Sequence, residues 1–386
     1  MDIYDKMVSL YYRWHRLEEE GKTSIIDFDL IRQGDRFPGM FTSRREVRET
    51  LNRIIEEYEA YEHQDTFIKE KLKGALNYLD ALMGKQIPFA EYVQNTMGVK
   101  PVPIPRNRLE EEQEKAGRSM AELGYEYSKQ GFEALEKETC FRDKDEIISS
   151  FNALEKKLVP MILDWLGLDV TPSYKIEFFR EEAFWMNWIL TDSKGDILLR
   201  FNIHPVQMKK WRKGSTEFFV FHEICCHALQ SLSWRRRIEN HHMPPFAGLT
   251  SLFTPEQFVS EGIAQTLYYF FPGDPFSMHG RLFLHVNNLR HMVSSNAHIM
   301  INEGEDPEDV YKYMEKYLPN LDKDFILKDL GRRASEPLSR TYQYIYGIGS
   351  YYHQELAKRL DKESRRNYVL DIFTTIRTPK NIMEEI

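Results

Sequence analysis

The sequence predicts a large, mainly α-helical fold that carries one small antiparallel β-sheet. Apolar residues recur at helical spacing along most of the 386 residues, for example at Val47, Leu51, Ile54 and Tyr58. Strand-like alternation is instead confined to a short stretch that follows Pro172. Charged residues make up 29% and hydrophobic residues 42% of the chain, which indicates a globular protein and excludes a disordered or fibrous one.

The first part of the chain, up to Gly98, predicts three or four helices. Prolines at alternate positions within residues 98–105 then exclude a helix and favour an extended connector. Two long helices are expected next, over residues 109–137 and 143–166. We therefore expect an N-terminal helical region, a helical connector region and a C-terminal catalytic region within one continuous fold: residues 1–100, 101–172 and 173–386.

The predicted sheet precedes a helix that begins near Ser215. Its three strands are expected over residues 174–179, 184–190 and 197–203, and a turn over residues 192–196 joins the last two. Everything after Ser215 has helical spacing. The sheet should therefore lie next to that helix.

Charge and cysteine content exclude several classes of protein. The net charge of -8 is opposite to that of a general nucleic-acid binder. The first residues do not have the pattern of a signal peptide, and no apolar run approaches the ~20 residues of a membrane span. The three cysteines, Cys140, Cys225 and Cys226, do not suggest a disulfide framework. We expect a cytoplasmic protein with no nucleic-acid or membrane partner.

The helix that begins near Ser215 carries a candidate metal motif. Phe218 to Phe221 form an apolar lead-in to His222 and Glu223, and His227 follows one turn later. Zinc hydrolases place two imidazoles on the metal in this way, with a carboxylate beside the metal's water. Zinc lowers the pKa of that water, and the carboxylate can accept its proton.

The spacing differs from the common His-Glu-x-x-His form, because three residues separate Glu223 from His227. On a regular helix the two imidazoles would point ~140° apart and could not share a metal. A π-bulge between them would restore the alignment. Two alternatives remain open here: His222 could pair with Cys226, four residues along, or the residues could belong to an ordinary helix without a metal.

Glu261 is a candidate third ligand on a later helix. It lies between Phe258 and Ile263 in an otherwise apolar register, so an inward-facing carboxylate would need a partner. The small residues Gly262 and Ala264 would let two helices approach closely enough for Glu261 to reach the metal.

The two motifs, His-Glu-x-x-x-His and the Ser-Glu-Gly-Ile-Ala-Gln around Glu261, resemble those of the HExxxH branch of the gluzincin metallopeptidases. This branch includes the tubulin-tyrosine carboxypeptidases, and the helical frame is also similar to that of carboxypeptidase Taq. The resemblance covers about residues 174–356. It implies a metallopeptidase-like fold, one zinc ion on His222, His227 and Glu261, and Glu223 as general base.

The same resemblance implies how a peptide would bind. The strand at residues 197–203, which includes Asn202, would form an edge to which a peptide adds as a further strand. Asn202 is therefore a candidate substrate-binding residue.

Other polar residues could complete such a site. A tetrahedral oxyanion needs a donor, for which His298, Tyr344 and Tyr346 are candidates. A terminal carboxylate of a peptide needs a cation, for which Arg290 and Arg340 are candidates.

The sequence thus predicts a zinc-dependent hydrolase that cleaves a peptide or amide bond, with the C-terminal end of a peptide or protein as substrate. A rival prediction is a metal-dependent tailoring enzyme, iron-based, because two histidines and one glutamate also form oxygenase sites. Glu223 favours hydrolysis, since an oxygenase would not require it. A third hypothesis is a helical binding protein that has lost the metal, but all four site residues are intact.

Overall fold

The prediction of a mainly helical fold is confirmed, since helices account for 67% and strands for 6% of the residues that the structure describes. The structure, a computed structural model, describes residues 2–19, 23–61, 64–182, 186–192, 196–208 and 210–384. Buried apolar side chains from most of the helices form one large core, and Met120, Phe132, Leu135 and Leu282 form a second, smaller cluster.

Four helices precede the proline-rich connector: α1 (Ile3–Glu19), α2 (Arg44–Glu59), α3 (Thr66–Leu82) and α4 (Phe89–Met97). Ser43 caps α2 by accepting a hydrogen bond from the backbone N–H of Glu46. Helix α4 ends at Gly98, whose φ of 70° is a left-handed conformation that glycine adopts without strain.

The connector is extended, as its prolines predict, and it is bound to the C-terminal helices. The Tyr344 hydroxyl accepts a hydrogen bond from the backbone N–H of Val102 and donates one to its carbonyl, both at 3.0 Å. Asn296 bonds in the same two-sided way to the backbone of Ile104. The N-terminal helices are therefore not attached through a free linker.

Three helices follow the connector: α5 (Arg106–Glu122), α6 (Lys129–Thr139) and α7 (Lys144–Leu166). The single helix expected over residues 109–137 is divided in two, because Gly124 turns the chain with a φ of 84°. Ser128 then caps α6. The helix expected over residues 143–166 matches α7, whose N-cap is Asp143.

Among the described residues, five strands form two sheets: β1 (Phe28–Asp29), β2 (Tyr174–Phe179), β3 (Asn187–Thr191), β4 (Ile197–Asn202) and β5 (Leu249–Thr250). β1 and β5 pair antiparallel. The predicted sheet has the order β2-β4-β3, with β3 antiparallel and β2 parallel to β4. Residue 184 of the predicted second strand and residues 193–195 of the predicted turn lie outside the described residues.

The strand order corrects one expectation. The strand at residues 197–203 corresponds to β4, and β4 is hydrogen-bonded on both sides. It therefore has no free edge for a peptide. Of its neighbours, β3 is the edge strand whose residues Trp188 and Ile189 face the cavity described below.

After β4, the elements of the described residues are helical apart from β5. These helices are α8 (Pro205–Met208), α9 (Ser215–Phe219), α10 (Leu229–Glu239), α11 (Glu256–Phe270), α12 (Met278–Asn302), α13 (Pro307–Glu315), α14 (Lys323–Ser335), α15 (Pro337–Arg359), α16 (Lys362–Thr374) and α17 (Pro379–Glu384). A π-helical segment, Val220–Ala228, joins α9 to α10. Within the described ranges no helix has the length and apolar character of a membrane span.

Candidate metal centre

The π-helical segment Val220–Ala228 brings the two motif histidines together. A π-helix bonds each residue to the fifth one along, so residues five apart lie on the same face. His222 and His227 are such a pair, and their Nε2 atoms lie 3.2 Å apart. The predicted π-bulge is therefore confirmed, and it extends over nine residues.

Glu261 on α11 completes a triangle with the two imidazoles. Its Oε2 atom lies 3.5 Å from His222 Nε2 and 3.6 Å from His227 Nε2. Four ligands at ~2.0–2.1 Å around zinc would be ~3.3 Å from one another, so these spacings fit a zinc ion. Oε2 also has no hydrogen-bond partner although Glu261 is only 7% exposed. A buried carboxylate oxygen without a donor is what a metal ligand requires.

The charges of the three side chains depend on one another. Burial raises the pKa of Glu261, but the two histidines outweigh that effect and hold the pKa well below its usual range. Burial lowers the pKa of His227, but Glu261, Glu223 and Asp27 together outweigh that effect and raise it. The attraction that favours a proton on His227 would equally favour a metal cation at the same place.

Glu223 lies beside the triangle, with Oε1 3.7 Å from His222 Nε2. It forms a possible metal-holding group with the two histidines. We assign the third ligand to Glu261 instead, because a single oxygen of Glu261 approaches both imidazoles. Burial raises the pKa of Glu223, which is the direction a general base near neutral pH needs.

Cys226, the alternative partner of His222, is not part of the group that could hold a metal among the described residues. The π-helical geometry places the fifth residue rather than the fourth over His222. Burial raises the pKa of the Cys226 thiol far above its usual value, which opposes a thiolate ligand.

A close helix crossing positions Glu261, but it is not the crossing that was expected. A side chain at Gly262 would meet His353 at 2.4 Å and the carbonyl of Gly349 at 3.3 Å, both on α15. The glycine therefore serves the contact of α11 with α15 rather than with the histidine helix. This contact brings tyrosines of α15 to Glu261.

Two of those tyrosines bind the carboxylate. Tyr342 donates a hydrogen bond to Glu261 Oε1 at 2.7 Å, and Tyr346 donates to the Tyr342 hydroxyl at 2.8 Å. Burial raises the pKa of both phenols, so they stay protonated and can donate at neutral pH. Tyr346 was predicted, and Tyr342, one turn earlier on the same face, was missed.

A further pair orients His227 from its other ring nitrogen. Ser260 Oγ lies 3.3 Å from His227 Nδ1 and donates to Gln230 Oε1 at 3.0 Å. Such contacts fix the tautomer and orientation of a metal-binding imidazole. Ser260 directly precedes Glu261, and this adjacency is the sequence signal that could have identified it.

Four predicted residues lie away from the metal centre. Tyr344 bonds to the connector, and His298 bonds to the backbone carbonyl of Arg340 at 3.1 Å. Arg340 itself bonds to Asn302 and to the carbonyl of Ile87. Asn202 is fully buried and bonds to the backbone around residues 181 and 204. These groups are occupied in holding the fold, so none is placed to contact a substrate.

Arg290 lies in a separate cavity of about 220 Å³ between α6, α9 and α12. Its guanidinium donates a hydrogen bond to Asn287 Oδ1 at 2.7 Å. Arg212 and Lys210 line the same cavity, together with apolar side chains such as Phe283. We call this space the Arg290 cavity.

The metal centre opens into a cavity of about 240 Å³, which we call the metal pocket. Four carboxylates line it, Asp27, Glu223, Glu256 and Glu261, and the described residues contribute no lysine or arginine to the lining. Burial, and then the charge of Glu261, raise the pKa of Asp27 to about 7. Asp27 was also missed, and no local pattern in the sequence identifies it.

No protein-family model and no curated protein matches the sequence. One solved structure of similar fold is "the putative lipoprotein from Colwellia psychrerythraea", with a TM-score of 0.60 and 14% sequence identity. The match covers 96% of this chain and 71% of that chain. At this identity the likeness shows a common fold and nothing further.

Proposed function

We propose that this protein is a zinc-dependent hydrolase of a peptide or amide bond, with the metal held by His222, His227 and Glu261. One observation carries the proposal: three buried ligand atoms lie 3.2, 3.5 and 3.6 Å from one another. Three protein ligands leave a fourth position for water, as catalytic zinc sites do. The resemblance of the two motifs to gluzincin metallopeptidases supports the same assignment.

Zinc in such a site polarises the scissile carbonyl and makes water more acidic. Glu223 is the group that would take the water's proton and later pass it to the leaving amine. Tyr346, whose hydroxyl lies in the metal pocket, is the candidate donor to the oxyanion. Tyr342 would act through Glu261, which its hydroxyl holds in place.

An iron-dependent tailoring enzyme is the second candidate, because two histidines and one carboxylate also bind ferrous iron. Hydrolysis is favoured by Glu223, a buried carboxylate 3.7 Å from a ligand nitrogen that an oxygenase would not need. A binding protein without a metal is disfavoured because His222, His227, Glu223 and Glu261 are all intact and their polar atoms meet in one buried group.

The proposed substrate is the C-terminal end of a peptide or protein, which requires a cation for the terminal carboxylate. Since no described lysine or arginine lines the metal pocket, Arg290 in its separate cavity is the candidate. Arg340 is not available for this role, because backbone and Asn302 contacts occupy its guanidinium.

The test is removal and return of the metal. Protein dialysed against a chelator should lose hydrolysis of a mixed peptide library, read by mass spectrometry, and regain it with Zn²⁺. Return of activity with Fe²⁺ and O₂ alone, with oxidised rather than cleaved products, would select the tailoring enzyme. Failure of every metal to restore cleavage in folded, metal-loaded protein would refute the proposal.

A further inference from the structure

Asp27 is a carboxylate of the metal pocket that the proposed reaction does not use. It is half-buried and directly precedes β1. Its carboxylate accepts a hydrogen bond from the side chain of Trp188, and no described lysine or arginine forms an ion pair with it.

The backbone around Asp27 is firmly held. Its N–H donates to the carbonyl of Thr250 at 2.9 Å, which extends the pairing of β1 with β5. β5 is held in turn, since the buried ammonium of Lys71 donates to the carbonyl of Leu249 at 2.5 Å. Asp27 is thus presented to the pocket from a fixed frame, as a recognition group should be.

Asp27 accepts a hydrogen bond from Trp188 but has no described lysine or arginine as its counter-charge. A zinc ion held at the site would offset the charges of Glu261 and Glu223, and Lys71 balances Glu256 at 2.8 Å. The second oxygen of Glu256, Oε2, has no hydrogen-bond partner although the residue is only 2% exposed. A carboxylate in such surroundings is costly unless a cation or a donor joins it.

Aromatic rings line the space around the Asp27 carboxylate. Trp188 is 43% exposed where the metal pocket meets a second, polar cavity of about 730 Å³, and Asp27 lines both spaces. Trp234 and Tyr342 line the pocket as well. Aromatic faces attract cations, and tryptophan does so most strongly.

We propose that the metal pocket binds the ammonium or guanidinium group of a basic peptide side chain, with Asp27 as its acceptor and Trp188 beside it. The substrate class of the enzyme is then peptides with a lysine or arginine near the cleaved bond. This inference rests on the proposed function for the cleavage, but the cation site itself does not depend on cleavage.

Two sets of probes test the site. The first is a series of alanine pentapeptides that carry lysine or norleucine at each position in turn, so that only the amine differs. At one position the wild type should cleave the lysine peptide with a kcat/KM roughly 10- to 100-fold above that for the norleucine peptide. This ratio corresponds to the free energy of one hydrogen bond to a charged group, which norleucine cannot form. Asp27→Asn should bring that ratio close to one.

Asp35→Asn is the matched control, because Asp35 is exposed and lines the adjoining cavity but not the metal pocket. It should leave the ratio unchanged. The second probe is N-acetyl-lysine amide, titrated by calorimetry into zinc-loaded protein. Wild type and Asp35→Asn should bind it, and Asp27→Asn should not.

The outcomes separate the two proposals. Cleavage with equal rates for both peptides at every position overturns the cation site and leaves the hydrolase standing. Absence of cleavage, with N-acetyl-lysine amide bound through Asp27, supports the cation site and counts against the hydrolase. Absence of both cleavage and binding overturns both.

Discussion

The metal pocket and the Arg290 cavity are nearly equal in volume, about 240 and 220 Å³, but opposite in charge. The first is lined by four carboxylates and aromatic rings. The second is lined by arginine, lysine and apolar side chains, with the single carboxylate Glu136 paired to Arg212. If the proposed function holds and a peptide reaches both cavities, their opposite charges would give it a direction, because its carboxylate and its basic groups would be attracted to different ends.

The largest expected effect concerns Glu223, the carboxylate of the metal pocket that we propose as general base. Glu223→Gln keeps the size of the side chain but cannot accept a proton, so kcat should fall roughly 10²- to 10⁴-fold. Zinc content should stay at the wild-type level, which elemental analysis on the same sample checks. A variant that retains wild-type kcat would remove Glu223 from the mechanism.

The next effect tests whether Lys71 is the counter-charge that Glu256 needs in the wall of the metal pocket. Lys71→Met leaves Glu256 buried without its partner, and the free energy of unfolding should fall by ~3–5 kcal/mol. The double variant Lys71→Met/Glu256→Gln should recover part of that loss. Denaturant unfolding measures both variants.

Lys85→Met is the control for that measurement, because Lys85 is 61% exposed and its partner Asp80 keeps an ion pair with Arg48. It should change stability by less than ~0.5 kcal/mol. Equal stabilities of the Lys71 and Lys85 variants would mean that Glu256 does not need its counter-charge.

A smaller effect is expected in the Arg290 cavity. Arg290→Met should lower kcat/KM for peptides with a free C-terminal carboxylate roughly 10- to 100-fold. The same peptides with an amidated C-terminus should be cleaved equally by both proteins. If the variant also cleaves free-acid peptides at the wild-type rate, the carboxylate is not bound at Arg290, and the direction assigned to the peptide is wrong.

The smallest effect separates the two tyrosines of α15. Tyr342→Phe removes the donor to Glu261 Oε1 and should weaken zinc binding roughly tenfold, measured by competition with a chelating dye. Tyr346→Phe should reduce hydrolysis while leaving zinc affinity near that of the wild type. If Tyr346→Phe weakens zinc binding and Tyr342→Phe reduces only hydrolysis, the roles assigned to the two tyrosines must be exchanged.

The grouping of His222, His227 and Glu261 could be predicted from the sequence because its signals are local. The five-residue spacing of His222 and His227 is incompatible with a regular helix, so a π-helical segment follows once both are taken to bind metal. Glu261 could be identified because an isolated charge in an apolar register needs a partner.

The accessory residues could not be predicted from local spacing. Helical spacing shows which residues share one face of a helix, but it does not show which other element packs against that face. Arg290 and His298 lie eight residues apart on α12, and each step of four rotates ~40°, so the two side chains diverge by ~80°. Arg290 consequently reaches a cavity whereas His298 is fully buried. Asp27 depends on the pairing of β1 with β5, a long-range contact that no local pattern reveals.

The most direct test of the account is the metal content of the purified protein, measured by elemental analysis for wild type, His227→Ala and Glu261→Gln. His241→Ala, a loop histidine outside the metal pocket, is the control. The account predicts about one zinc per chain in the wild type and the control, and almost none in the other two variants. A wild type without bound metal, or a Glu261→Gln variant that keeps its zinc, would contradict it.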